Sequence, residues 1–229
     1  MTTMTTTVPV SRIIATKEDV EAFADSCVLL RSQWAHFMTL FEGSDLKREL
    51  LYTTAPTFFS DLNRLFIEHL VVHICRLTDE AQTMGRKNLT VKFLIGHSDW
   101  SNAPDTLAKL KPISDSIHRF RKRVLPARKW FIAHLDLSAV RLDQPLGAAS
   151  NDEWKQFWLD LQDFVQLMFR HHVDPNSLFH LNGIGGMSDA DRLLTALRNA
   201  KLFDAVLNDQ EIATQAVRAA DTSKFATEL

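Results

Sequence analysis

Residues 57–81 read TFFSDLNRLFIEHLVVHICRLTDEA. Large apolar side chains occupy most of the circumference when this stretch is wound as a helix, and neither Gly nor Pro interrupts it. Long runs of this kind favour helix over strand. The pattern predicts a helix over about 56–82, beginning at Pro56, and apolarity over most of its circumference predicts that the helix is central.

The flanking segments repeat the helical theme. Upstream, Val20, Phe23, Ala24, Cys27, Leu30, Trp34, Phe37, Met38 and Phe41 are spaced by steps of three and four. That spacing predicts an amphipathic helix over about 17–42, with Thr16 as N-cap and Gly43 as terminator. A short helical piece at 45–53 precedes Pro56. Downstream, MGRKNLTVKFLIG (84–96) reads as a loop with a short helix after Asn88. A helix over 103–124 is expected to break or kink at Pro126. RKWFIAHLD (128–136) continues or restarts it. Another helix spans 151–172 behind Ser150 or Asn151 as cap, and a short one spans 188–200 behind Ser188. There is no internal repeat and no convincing alternating strand. The fold class expected is all-α, a single-domain bundle of four to five long helices. Residues 1–15 read as a disordered arm, 16–200 as the helical domain, and 201–229 as a C-terminal tail docked loosely at most.

Composition agrees and narrows the function. The chain has 229 residues, 45% of them hydrophobic, with only seven Gly and seven Pro. Fifteen Phe and five Trp against one Tyr imply an aromatic, mostly non-polar core. A net charge of −2 excludes a protein that coats nucleic acid with its whole surface, but leaves room for a local basic patch. Cys27 and Cys75 lie in apolar helical pattern and read as buried free thiols. The Thr-rich N-terminus is not a secretory signal, and no apolar run approaches ~20 residues, so no membrane partner and a cytoplasmic location are expected.

The chemistry concentrates on 118–136. HRFRKRVLPARK (118–129) holds six Lys or Arg and no Asp or Glu, a local positive patch of the kind that attracts phosphates. On its own it reads first as a solvated charged face. Arg128 and His134 follow, six positions apart. In a helix that is roughly 9 Å of rise and about 120° of rotation. The two do not share a face, so a second copy across a two-fold axis could supply one partner. The plain alternative is a His satisfied by a backbone carbonyl and an Arg paired with a carboxylate such as Asp136 of a second copy.

The Arg-Lys-x-x-x-Ala-His-x-Asp frame at 128–136 follows HICRLTDEA (73–81), KNLTVKFLI (87–95) and the basic helix. This ordered set resembles the abortive-infection, phage-defence branch of the HEPN superfamily over roughly residues 20–200. The resemblance implies metal-independent endoribonuclease activity of the toxin–antitoxin or defence type, acting on RNA, with the site at a homodimer seam and no cofactor. It implies an antitoxin or nucleotidyltransferase-type partner. It places Arg128 and His134 at the motif's two defining positions, with Lys129 where the family usually carries Asn, Asp or His. Lys129, Arg119, Arg121 and Arg123 are then the candidates to hold the RNA backbone.

His69, His73 and Arg76 form one helical stripe, with Glu68, Asp79 and Glu80 nearby. The His pair has metal-ligand spacing, but no third ligand is fixed, and no metal is expected. The stripe reads as a buried polar patch in which Arg76 pairs with Asp79, or as a support for the site. His171, His172, Asp174 and His180 read as ordinary residues after a helix. His97, Ser98 and Asp99 spell a triad without triad geometry. The competing reading of the whole chain is a non-catalytic helical module that binds RNA, a nucleotide or a protein partner. A metal- or small-molecule-binding bundle built on His69 and His73 is a third.

Overall fold

The computed structural model describes residues 13–128, 149–181 and 189–208. Among them are seven helices and one two-stranded ribbon: α1 (Lys17–Phe41), α2 (Asp45–Thr54), α3 (Pro56–Thr78), β1 (Gln82–Thr83), β2 (Arg86–Lys87), α4 (Val91–His97), α5 (Pro104–Ala127), α6 (Asn151–His172) and α7 (Asp189–Asn208). The protein is all-α. Five helices have 20 residues or more. No described helix is long and apolar enough to cross a membrane.

The helix ends follow local chemistry. The Thr16 hydroxyl accepts from Asp19 N–H at 3.3 Å, and Asp19 accepts from Thr16 N–H at 2.9 Å, so α1 starts with a reciprocal cap. It stops at Gly43, whose φ of 106° suits glycine. Thr90 caps α4 by accepting from Phe93 N–H. Ser150 and Glu153 form a complete capping box at the start of α6. Residues 13–15, expected within the arm, are described, and Ala15 is buried with its N–H donated to His97 O at 2.8 Å.

The described residues cluster into two compact units, 13–32 with 68–128 and 149–181, and 33–67 with 189–208. In the first, α5 lies against α6, and Leu110, Ile117, Phe120 and Val124 of α5 are buried. Phe120 stacks on Phe157 at 4.5 Å. Phe23 of α1 meets Phe164 edge-on at 5.7 Å, and the Arg31 guanidinium lies over the Trp158 ring. Cys27 and Cys75 are buried free thiols. In the second unit, Leu40, Leu51, Phe59, Ala190 and Leu194 form the core, and Lys201 of α7 donates to Thr53 O.

Four expectations need correction. First, α5 runs through Pro126 to Ala127, and Arg128 retains helical dihedrals, with its N–H directed at Leu125 O and Val124 O. An interior proline costs about 3 kcal/mol, whereas each fully buried Leu, Ile, Phe or Val side chain returns roughly 1.5–3 kcal/mol. Four such residues on one stripe of α5 outweigh the proline. Second, residues 82–87 form an antiparallel ribbon rather than a loop, pairing Gln82 with Lys87 and Thr83 with Arg86. Met84 and Gly85 turn it with φ of 48° and 78°, the double positive φ of a tight hairpin. Strands of two residues are too short to show alternation. Third, α3 is not buried all round: Phe58, Leu65 and Ile67 are exposed, while Leu70, Val71, Ile74, Cys75 and Leu77 are buried. The last helix also runs on to Asn208, beyond the 188–200 that its apolar spacing suggested.

Candidate functional site

The basic run of α5 divides between two faces. Residues seven apart on a helix point almost the same way, so Arg121 and Arg128 share a face. That face meets the C-terminal end of α3. Asp79 receives Arg121 Nη2 at 2.6 Å and Arg128 Nη1 at 2.9 and 2.8 Å on its two oxygens. The three side chains are 23%, 21% and 31% exposed, which makes the cluster partly shielded from water. The Cys75 thiol, one helical turn before Asp79, lies close enough to Arg128 to interact with it. Burial works against the Arg128 charge, but the hydrogen bonds and charge of Asp79 outweigh it, so its pKa rises. Burial also pushes the Cys75 thiol up, against the pull of Arg128 and Arg121. Two guanidinium groups against one carboxylate leave the cluster with a net positive charge. Arg128 uses Nη1 on Asp79, and its remaining N–H groups can face an anion.

The pairing of Arg76 with Asp79 expected from their spacing does not occur. Asp79 is taken by the two arginines of α5, and Arg76 has no hydrogen bond or ion pair among the described residues. Arg121, expected on the RNA backbone, is tied into this cluster. The other face of α5 carries Arg119, Lys122 and Arg123 along a groove of about 580 Å³ against α6. Arg123 Nε donates to Glu153 at 2.8 Å, and Arg119 is exposed. Lys129, His134 and Asp136 lie outside the described residues.

A second opening, about 400 Å³, adjoins the cluster. Phe23 and Ser26 of α1, His73, Arg76 and Asp79, and Lys87 and Asn88 line it. His73 is 8% exposed and its Nδ1 is buried with no hydrogen-bond partner. Burial, then the charges of His69 and Arg76, push its pKa down to about 4. The unfolded chain therefore takes up a proton near pH 6.5 that the folded chain refuses until about pH 4. Stability is then expected to fall as pH drops through that window, by up to about 3 kcal/mol, and to level off below it. His172, whose pKa burial also lowers, adds to the slope in the same direction. Urea midpoints measured from pH 7 to 4 check this, because His73→Gln removes the larger part of the acid loss. An unchanged slope in that variant refutes the assignment.

His171 and His172 serve packing. Ser98 Oγ donates to Leu94 O at 2.6 Å, so His172 meets it as a donor through Nε2 at 2.8 Å. His171 Nε2 donates to Asp99 O and its ring stacks on Trp100 at 4.4 Å. These contacts fasten the end of α6 to the turn between α4 and α5. Among the described residues, no group of three or more His, Cys, Asp or Glu is placed to hold a metal ion.

Sequence spacing missed the Asp79 cluster. The available signal was the seven-residue interval of Arg121 and Arg128, which marks one face. Ser26 and Lys87 carried no signal, since they reach the second opening from separate elements. No curated protein and no solved structure matches the chain. A family model does, described as HEPN AbiU2, over residues 13–182, and its span takes in the α3 end, the ribbon, α4, α5 and α6 that build this site. The chain therefore belongs to the AbiU2 family, in the abortive-infection branch of the HEPN superfamily.

Proposed function

We propose that the protein is a metal-independent endoribonuclease of a phage-defence or toxin–antitoxin system, with Arg128 and His134 of two copies meeting at a homodimer seam. The observation that carries this reading is the Arg128 guanidinium, held by Asp79 in a net-positive, partly buried cluster at the end of the basic helix. Family membership supports the defence setting.

The chemistry follows from the residue types. The RNA 2′-OH attacks the adjacent phosphorus: an O2′–P bond forms and the P–O5′ bond breaks. His134, as a neutral imidazole, takes the 2′-OH proton, and an imidazolium returns one to the departing 5′ oxygen. The products are a 2′,3′-cyclic phosphate and a 5′-hydroxyl. Arg128 holds the non-bridging oxygens as charge builds on them. Asp79 is a positioning residue that fixes the fork. Arg119 and Lys122, with Lys129, attract the flanking phosphates, and Arg123 joins them where Glu153 releases it.

The test is cleavage of a single-stranded RNA and of its all-deoxy counterpart by purified protein in excess EDTA. RNA is expected to be cut to cyclic-phosphate ends, and the deoxy strand to stay intact because it lacks the nucleophile. RNA left whole at high enzyme concentration sinks the proposal. It would favour the second reading, a helical module that binds RNA or a protein partner without cutting, for which Lys129 after the motif arginine is the relevant departure.

A further inference from the structure

We propose that the outer face of α7 is a docking surface for α7 of a second copy of this chain, paired antiparallel through Ala196, Ala200, Phe203 and Leu207. The inner face of α7 is already covered: Ala190 and Leu194 are buried, and Leu197 packs against the same cluster. From Arg198 to Leu207 every residue is exposed. Phe203 and Leu207 are 62% and 53% exposed. Helices in proteins draw most of their stability from packing an apolar face, and an exposed apolar stripe marks an interaction surface. The helix follows the family-matched residues 13–182, so this surface lies outside the matched domain.

Spacing says that the surface fits a helix. Leu193, Ala196, Ala200, Phe203 and Leu207 follow one another by steps of three, four, three and four. That is the seam spacing of a two-stranded coiled coil. The seam lies about 100° round the helix from the buried face, so the two do not compete.

The order of sizes identifies which helix. Two small residues, Ala196 and Ala200, precede two large ones, Phe203 and Leu207, at mirrored intervals. Let two copies lie antiparallel with the two-fold axis between Ala200 and Phe203. Phe203 of each copy then meets Ala200 of the other, and Leu207 of each meets Ala196 of the other. Every layer holds one large and one small side chain, which fills the seam evenly. The same patch serves both copies, as a two-fold contact requires. A parallel pair would oppose Ala to Ala and Phe to Phe. It would also set Asp189, four residues before Leu193 on the same stripe, against its own charge. The chain's own residues 209–229 fit less well. Their large apolar side chains, Ile212, Val217, Phe225 and Leu229, are spaced by five, eight and four, which makes no seam of threes and fours. Four layers from 196 to 207 extend about 17 Å, and the pair buries less than the roughly 1,200 Å² of a stable interface. Pairing is therefore expected to be reversible and to need micromolar protein or more.

The experiment is oxidative cross-linking of the full chain. Ala196→Cys and Leu207→Cys are made singly, equilibrated together at high micromolar concentration and oxidised. Cys27 and Cys75 are buried and stay out of the reaction. The mixture is expected to give a disulfide joining position 196 of one chain to position 207 of the other. Each variant alone is expected to give none, because like positions of an antiparallel pair lie about 16 Å apart along the axis. Adding Phe203→Glu to both chains is expected to lower the yield about tenfold or more. Leu202→Glu is the control: Leu202 is 64% exposed but sits about 100° round the helix from Phe203, and the yield is expected to hold. Both side chains are exposed, so the melting temperature is expected to stay unchanged in either variant. The proposal is overturned if the mixture gives no 196–207 disulfide, which would assign the face to residues 209–229 or to a different protein. It is equally overturned if each variant cross-links with itself, as a parallel pair would, or if Leu202→Glu is as damaging as Phe203→Glu. No residue of α7 enters the proposed cleavage site, so failure here leaves RNA cleavage untouched, and absence of cleavage leaves this surface standing.

Discussion

His134→Ala is expected to lower RNA cleavage about 10²–10⁴-fold while the protein stays folded. The imidazole is the one group in the proposed mechanism that moves a proton near neutral pH, and alanine has nothing to replace it. Arg128, still fixed by Asp79, keeps holding the phosphate. Substrate affinity is therefore expected to change little, and the loss is expected in the single-turnover rate. The same variant separates the two readings in cells. Induction of the wild type is expected to arrest growth, and induction of His134→Ala is not. Equal cleavage rates for the two proteins would remove His134 from the chemistry, and equal growth arrest would remove RNA cleavage from the toxicity.

Asp79→Ala is expected to damage stability and cleavage together. It leaves two guanidinium groups partly buried beside each other with no counter-charge. Losing one partner of a fully buried pair costs about 3–5 kcal/mol. Here the side chains are 21–31% exposed, and water screens part of that loss, so roughly 2–3 kcal/mol is the reasonable figure. For a chain of this size that is on the order of 5–10 °C in melting temperature. Arg128 also loses the carboxylate that aims it, and a misplacement of about 1 Å in a positioned group costs roughly 10²-fold in rate. Arg121→Ala is the control. It removes one of the two cations, keeps Arg128 on both oxygens of Asp79, and is expected to cut RNA within a few-fold of wild type. A melting temperature for Asp79→Ala within about a degree of wild type would show that the cluster carries no stability, and loss of cleavage in Arg121→Ala equal to that in Asp79→Ala would show that Arg128 is not the group being aimed.

Much of the fold is legible in the sequence because it is set by local physics. Steps of three and four along 17–41 give α1, and Thr16, Gly43 and Ser150 mark helix ends through caps that need only neighbouring atoms. Pro126 misleads for the opposite reason. Its cost is local and visible, while the stripe of α5 that offsets it is valued only when α6 covers it. The ribbon at 82–87 is hidden because two paired residues per strand leave no period to read.

The sequence by itself determined the all-α class, the family, and the residue types on which the chemistry rests. The basic run and the Arg128–His134 interval are one-dimensional facts. Only the tertiary structure decided which charge meets which. Spacing favoured Arg76 for Asp79, three residues away on the same chain segment. Folding instead brings α5 over the end of α3, and two arginines 42 and 49 residues distant take the carboxylate. Ion pairing follows distance in space and shielding from water, and neither is written in the order of residues. The choice has two consequences at once: Arg128 is aimed, and Arg76 is left facing an opening beside a buried, unpartnered His73.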